Sequence, residues 1–458
     1  MAKRTNMFKK SILLCGDIFI IIFSINLSMF VRFLHFTDVL KHYTVATFFT
    51  IATYIVSFYV FDMYNIRVKF KGTYFFARFF VAIMFAAAFT TVFFYAFPSW
   101  KMGRGLSILN MFIISVFSYY WRVIFQNVVV ASWKPRRLVI VGAGRAAEAV
   151  CKTISESKDF EIIGFLDDAP DKTGKRIGPY GIISGSSVLR DLAERDEIDA
   201  VLVAITHEKR PELLKALLDI KVKGLDIFDV PTFYEQTRGL LPVAYMRDGW
   251  IVYAPFHGMK NSIYAVHVKR LMDMALSFLG LVVCLPLGVA VAIMIKMDSK
   301  GPVFFRQKRV GLNGNVFEIV KFRSMVEEAE SEGEAVWAGQ NDPRATGVGK
   351  IIRRARIDEL PQMWNVLTGA MSFIGPRPER PEFVTELQKD IPFYALRHAV
   401  KPGITGWAQV NYRYGASKED AAEKLQYDLF YLKNLSFFLD LQVMLKTLRV
   451  ILFAEGSR

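Results

Sequence analysis

Cysteine is scarce in this chain. The three that occur, Cys15, Cys151 and Cys284, lie far apart with no CxxC or CxxxH spacing, which argues against a disulfide framework or a structural zinc site. Reduced thiols in a cytosol-facing protein fit. Acidic residues are in the minority: 43 Asp and Glu against 58 Lys and Arg leave a formal charge of +15. That balance suits anionic lipid headgroups, phosphorylated substrates or nucleic acid, and by itself selects none of them. Polar residues are absent over long stretches, and with 53% hydrophobic and 14% aromatic residues in 458 the chain is too apolar for an ordinary soluble enzyme. Part of it must live in lipid.

Four apolar stretches, about Ser11 to Val31, Tyr43 to Phe61, Tyr74 to Phe97 and Leu106 to Val130, are long enough to cross a hydrocarbon core, which takes roughly 20 residues. No small-residue cleavage site follows the first, so it is not read as a signal peptide. No acidic side chain sits at the middle of a span, which gives a proton relay or ion path little support. Lys3, Arg4, Lys9 and Lys10 precede the first span, Arg67, Lys69 and Lys71 separate the second and third, and Lys134, Arg136 and Arg137 follow the fourth. The opposite loops carry only Arg32, Lys41, Lys101 and Arg104, so both ends of the bundle are expected on the cytoplasmic side.

A fifth apolar stretch, Leu271 to Met297, is broken by Pro286 and flanked by Lys269 and Arg270 before it and Lys296 and Lys300 at its end. Proline removes a backbone donor and clashes with the preceding turn. Cations at both ends then favour a hairpin that enters and leaves on the cytoplasmic face. A kinked spanning helix is the other reading.

Between the bundle and this stretch, "RLVIVGAGRAAEAVCKTI", "FEIIGFLDD", "DAVLVAI", "PELLKALLDI" and "GLDIFDV" alternate strand and helix patterns, as in a parallel, doubly wound sheet. Gly142, Gly144 and Ala147 make a GxGxxA turn between strand and helix, and Asp167 closes the second strand where a ribose-binding acid could sit. The glycines either bind a nucleotide or merely permit the tight turn.

After the fifth stretch comes "GPVFFRQKRVGLNGNVFEIVKFRSM", in which Asn313 and Gly314 between β-rich runs predict a hairpin. Alternation puts Lys321 and Arg323 on one face, with Arg306 and Lys308 on the paired strand, a basic surface that could hold a phosphate. In "RRARIDELPQMWN", 353–365, a short basic helix ends and Asp358 is expected to cap the next helix, with Pro361 in its first turn. "SFIGPRPERPEF" stiffens the backbone around Arg377 and Arg380 with Pro376, Pro378 and Pro381, a rigid loop suited to a diphosphate. "KPGITGWAQVNYRYG" adds Gly403, Gly406, Trp407 and Tyr412.

From about Val266 onward the chain closely resembles the bacterial sugar transferase family, the polyprenyl-phosphate hexose-1-phosphate transferases. "KRLMD", the proline-broken stretch, "GPVFFRQKRVG", "KFRSM", "RIDELPQMWNVLTGAMSFIGPRPERPEF", "KPGITGWAQVNYRYG" and "YDLFYLKNLSFFLDL" carry the match in order. The four spans and the Rossmann-like region look like the longer members of that family. The resemblance implies a membrane α/β protein of four parts: a four-helix transmembrane bundle (1–132), a Rossmann-like parallel domain (133–232), a linker (233–265) and an α/β catalytic domain (266–458) with a re-entrant hairpin (271–297). It further implies transfer of a sugar-1-phosphate from a UDP-sugar to undecaprenyl phosphate through an aspartyl intermediate, with release of UMP, at the start of exopolysaccharide, O-antigen or capsule synthesis. By resemblance Asp358 is the nucleophile, Glu359 its partner at a Mg2+ centre, and Pro376, Arg377 and Pro378 the nucleotide-binding motif. Lys269, Arg270, Lys321, Arg323 and Arg356 are then candidates to hold phosphate. The site is expected at the inner face of the bacterial cytoplasmic membrane, and a homo-oligomer is left open.

Two rivals remain. Membrane-anchored, NAD-dependent nucleotide-sugar epimerases or dehydratases also join four spans to a dinucleotide fold, and Tyr414 and Lys418 supply their YxxxK pair. That pair lies far beyond the glycine turn, inside a motif the transferases explain better. The non-enzymatic rival is a membrane scaffold that senses a nucleotide. Nucleic acid is disfavoured, because the basic residues cluster by the membrane segments and the diphosphate-type loop rather than along a stripe.

Overall fold

The computed structural model describes residues 2–34, 43–66, 70–100, 102–132, 134–155, 159–169, 171–184, 188–205, 211–246, 248–254, 263–326, 344–412, 415 and 417–453. Tyr414 of the YxxxK pair lies outside them. The chain forms two compact units, Met1–Asp229 and Val230–Arg458.

The first unit begins with helices α1 (Ala2–Phe33), α2 (Thr44–Val60), α3 (Thr73–Ala96) and α4 (Arg104–Phe125), the last extended by a π-helical turn, Gln126–Val130. Met7–Phe33, Phe75–Ala96 and Arg104–Val130 are long and apolar enough to cross a membrane, and α2 is a shorter apolar helix of 17 residues. The α1 residues Leu13, Asp17, Ile21, Ser24, Ile25 and Ser28 are buried while Phe19 and Phe23 are exposed, the one-sided spacing of a helix packed on its neighbours. Lipid is as apolar as a leucine face, so contacts between helices rest on close approach and hydrogen bonds. Ser57 Oγ accordingly donates to the Ala82 carbonyl at 2.6 Å.

Asp17 shows what the span count passed over. Arg122 on α4 donates Nη1 and Nη2 to its two carboxylate oxygens at 2.9 and 3.0 Å, and both residues are fully buried. The guanidinium also lies 4.2 Å from the centre of the Phe58 ring.

Strands β1 (Arg136–Val141), β2 (Phe160–Asp167), β3 (Arg176–Ile177), β4 (Tyr180–Ser184), β5 (Ala200–Val203) and β6 (Asp226–Asp229) form a sheet in the order β3-β4-β2-β1-β5-β6. All pairings are parallel except β3 with β4. With α5 (Arg145–Ser155), α6 (Val188–Glu194) and α7 (Pro211–Val222) this is the alternation expected of the middle region. Arg136 and Arg137, counted among the cations after the fourth span, lie in β1 and pair with Asp226 and Asp199 at 2.7 and 3.1 Å.

In the second unit α8 (Val230–Arg238) follows β6 without an intervening residue, and α9 (Asp248–Tyr253) comes next. The stretch read as a linker is therefore structured where it is described, and Leu241, Val243 and Met246 enter the core with Tyr394, Trp407, Leu425 and Leu429. Helix α10 (Lys269–Asp298) runs through Pro286 without ending there, so the structure draws one helix where two arms were expected. It lies along the unit for much of its length: Arg270 reaches the carbonyls of Val366 and Leu367, Asp273 accepts from the Phe373 N–H, Ile295 packs with Phe322, and Asp298 accepts from the Val348 N–H. Val282, Val283, Leu285 and Leu287, around the proline, are exposed.

The rest of the unit comprises β7 (Phe304–Val310), β8 (Val316–Phe322), α11 (Gly347–Arg354), α12 (Gln362–Thr368), β9 (Ser372–Ile374), α13 (Pro381–Asp390), β10 (Gly403–Thr405), α14 (Trp407–Asn411), α15 (Lys418–Lys433) and α16 (Phe437–Phe453). The predicted hairpin is β7 with β8, turning through Asn313 and Gly314 at φ +56° and +80°. The pair β9 and β10 is parallel.

Candidate active site

Thr346 opens α11 by accepting the Gly349 N–H on its hydroxyl at 3.0 Å. After Arg354 the chain reverses through Arg356 in the left-handed region, φ +55°, into a 3-10 turn, Ile357–Glu359. Asp358 therefore does not cap the next helix. Pro361 precedes α12 with no side-chain cap, and the first-turn N–H groups of Met363 and Trp364 pair instead with the Leu360 and Pro361 carbonyls at 3.1 and 3.0 Å. Among the described residues nothing donates a hydrogen bond to the Asp358 carboxylate, which leaves it open to chemistry.

Glu359 is tied down. Its Oε1 accepts from Arg377 Nη2 at 2.8 Å and from Lys321 Nζ at 3.4 Å. Burial alone would raise its pKa, but the Arg377 and Lys321 charges hold it well below the usual carboxylate range. Asp358 goes the other way. Burial first, and the adjacent Glu359 charge second, push it up to about 6 against the pull of Lys321, Arg377 and Arg353. Neighbouring carboxylates driven apart in this way are the pattern that separates chemical roles. Burial also lowers Lys321, although Glu359 opposes it.

Lys321 and Arg377 arrive from different elements. Lys321 is on β8, whose outer edge is satisfied by a side chain: Asn365 on α12 accepts the Val320 N–H at 2.9 Å and donates to the Glu318 carbonyl at 2.7 Å. An amide carries one donor and one acceptor group, so Asn365 stands in for a neighbouring strand and fixes α12 against the lysine strand. Nothing in the sequence around Asn365 announces this. Arg377 leaves the end of β9, in a loop where three successive carbonyls are taken: Pro376 by the Gly403 N–H at 2.9 Å, Arg377 by Arg397 at 2.9 Å and Pro378 by Arg309 at 3.1 Å.

Of the expected site residues, Asp358, Glu359, Lys321 and Arg377 are brought together. Arg356 adds positive field to Glu359, and Pro376 and Pro378 frame Arg377. Lys269, Arg270 and Arg323 are placed differently, because each secures α10. Lys269 pairs with buried Asp440 at 2.5 Å, Arg270 takes the last carbonyls of α12, and buried Arg323 donates to Ser299 O at 2.7 Å. The basic face of the hairpin also needs correcting. Register pairs Lys321 with Phe305, whereas Arg306 and Lys308 oppose Val320 and Glu318. Side chains alternate along a strand, so Arg306 and Lys308 project from the other face and Arg309 shares the face of Lys321.

In the first unit Gly142 needs its positive φ of +103°, and a Cβ there would fall 3.2 Å from the Ala204 backbone. Gly144 has neither constraint, since a Cβ there would meet nothing within 4 Å. Asp167 accepts the Ala143 and Ala169 N–H groups at 2.8 and 2.9 Å and Lys172 at 3.0 Å. It thus braces the glycine turn from within the domain.

Residues 264–454, which hold the whole acid-pair site, match the bacterial sugar transferase family, and 137–214 match the PglD N-terminal domain. An uncharacterized sugar transferase, EpsL, of Bacillus subtilis is 41% identical over 193 residues, covering 41% of this chain and 89% of the relative. This chain belongs to the bacterial sugar transferase family. This family member is also 48% identical over 200 residues to a UDP-N-acetylgalactosamine-undecaprenyl-phosphate N-acetylgalactosaminephosphotransferase of Aeromonas hydrophila, covering 44% of this chain and 47% of the relative. A UDP-glucose:undecaprenyl-phosphate glucose-1-phosphate transferase of Klebsiella pneumoniae is 33% identical over 331 residues, covering 69% of this chain and 67% of the relative. The chain spans about half the length of the Aeromonas relative and of a UDP-glucose:undecaprenyl-phosphate glucose-1-phosphate transferase from Xanthomonas campestris pv. campestris (47% and 54%).

Proposed function

We propose that the chain transfers a sugar-1-phosphate from a UDP-sugar to undecaprenyl phosphate in two steps, beginning the assembly of a surface polysaccharide. The observation that carries this is the acid pair. Among the described residues nothing donates a hydrogen bond to Asp358, while Glu359 is held by Arg377 and Lys321, inside the stretch that matches the family. The Asp358 carboxylate attacks the sugar-bearing phosphorus of the UDP-sugar, and the bond to the bridging oxygen breaks with its electron pair leaving on UMP. An oxygen of undecaprenyl phosphate then attacks the same phosphorus, restores the carboxylate and yields the lipid diphosphate sugar. Covalent catalysis divides one difficult meeting of anions into two easier displacements, and Lys321 and Arg377 screen the charge at both.

The donor set suits Mg2+, which takes one or two carboxylates and fills its remaining positions with water and substrate phosphate oxygens. Asp358 and Glu359 would be its protein ligands. When bound, the ion would neutralise charge on the diphosphate.

For α10 we propose a re-entrant course, with the site on the cytoplasmic face of the inner membrane. Its support is that both ends fasten to the same unit through Arg270, Asp273, Ser299 and Asp298, with apolar side chains exposed along the helix between them. The fixed cations at both ends agree.

A radiolabelled panel of UDP-sugars, each with undecaprenyl phosphate and purified protein, tests the reaction. Lipid-linked label with release of UMP is expected, and an Asp358→Asn protein should give neither. UMP release without lipid product, or an altered nucleotide sugar, would sink the proposal.

A further inference from the structure

The loop that presents Arg377 has an unusual backbone constraint. Pro376 and Pro378 on either side have no N–H to donate, so the loop is positioned chiefly through what its carbonyls accept. The Arg377 carbonyl accepts from Arg397 Nη2 at 2.9 Å. Arg397 is itself buried, pairs through the same nitrogen with buried Asp428 of α15 at 2.9 Å, and through Nη1 meets the Tyr394 hydroxyl at 2.6 Å. Its guanidinium carbon lies 5.1 Å from the centre of the Tyr394 ring. A planar guanidinium held at both nitrogens has little freedom to follow a moving carbonyl. The Arg377 guanidinium in turn rests on Glu359 at 2.8 Å.

We propose that Arg397, fixed by Asp428 and Tyr394, is a positioning residue for the transfer reaction, setting the backbone of Arg377 so that its guanidinium meets Glu359 and the substrate diphosphate. Arg397 acts through Arg377 and need not touch the substrate. The inference rests on the function proposed above.

The test is a set of steady-state kinetics on full-length protein in detergent or nanodiscs, with wild type, Arg377→Lys, Arg397→Lys and the double variant. A lysine at 397 keeps the charge but replaces the planar fork with a single, shorter-reaching donor atom, so it cannot hold the Arg377 carbonyl and the Tyr394 hydroxyl together. Arg397→Lys is expected to raise KM for the UDP-sugar and lower kcat together, about tenfold in kcat/KM, with the same division as Arg377→Lys. The double variant should be no worse than Arg377→Lys alone, because both changes remove one contact. Tyr394→Phe, a milder change that removes only the hydroxyl, should move KM in the same direction by a smaller factor, and it serves if Arg397→Lys does not fold. A merely structural Arg397 would reduce active protein without moving KM, and its losses would multiply with those of Arg377→Lys. Either result overturns the inference. Failure of the underlying function would look different: wild type itself would form no lipid-linked sugar.

Discussion

Asp358 carries most of its meaning in what it lacks. It has no hydrogen bond among the described residues, and its pKa stands near 6 because burial and Glu359 both disfavour its charge. As the proposed nucleophile it must be ionised, so activity should rise with pH through about 6 and fall away below it. Glu359→Gln removes one cause of the upward shift, and should move that acid limb to lower pH while slowing the reaction, as a pH–rate profile would record. An unmoved limb would mean the limb belongs to another group. Arg356 and Gly142 illustrate backbone cost. Gly142→Ala should cost about 1–2 kcal/mol for a side chain in the left-handed region, read by denaturation, while Gly144→Ala should cost much less, having open space and no positive φ. A nucleotide at this turn, one of the two readings open in the sequence, would reverse the ranking in a binding assay. Gly144→Val would then abolish binding of labelled nucleotide by a protein that still folds.

At the scale of elements, α10 is the piece whose placement decides the site. Arg323 was a candidate phosphate ligand in the sequence, yet it donates to Ser299 and Ile295 at the end of this helix. Arg323→Ala should therefore loosen α10, at about 1.5–3 kcal/mol for each charged hydrogen bond lost. The expected reading is a lower melting temperature, with KM for the UDP-sugar nearly unchanged in the folded fraction. A selective rise in KM would return Arg323 to the substrate. The proposed re-entrant course makes its own claim on Pro286. Cysteines introduced on either side of it should both be labelled from the cytoplasmic face alone, and labelling of one from the opposite face would support a spanning helix. The short turn at Ile357–Glu359 and the β7–β8 register belong to this scale too. Alternation foretold a hairpin but misplaced Arg306 and Lys308, since which residues share a face depends on the pairing across the turn.

For the molecule as a whole, two units with separate cores imply separable stability. Asp17→Asn should destabilise the first unit by about 3–5 kcal/mol, the usual cost of stranding one member of a buried ion pair, leaving Arg122 without its carboxylate in an apolar bundle. Where to divide the chain follows from packing. A fragment starting at Val230 keeps α8 and the core residues Leu241, Val243 and Met246, and keeps the Gly239 carbonyl that accepts from Trp407 Nε1 at 2.7 Å. It should fold better than one starting at Tyr264, as thermal melting of the two in detergent would test.

Periodicity, length and ordered motifs by themselves determined the apolar helices, the parallel middle sheet, the β7–β8 hairpin and the family, because each depends on residues close together in the chain. Tertiary structure decided which charges gather. Asp358 and Glu359 are neighbours in sequence, but Lys321 and Arg377 reach Glu359 only because Asn365 fixes β8 to α12 and the Arg377 loop is held through its carbonyls. Lys269, Arg270 and Arg323 looked equally suited to phosphate, and the sequence reading passed over Asp17. A cation's partner is set by the three-dimensional distance to the nearest acceptor, and burial makes that pairing obligatory; no spacing along the chain encodes it.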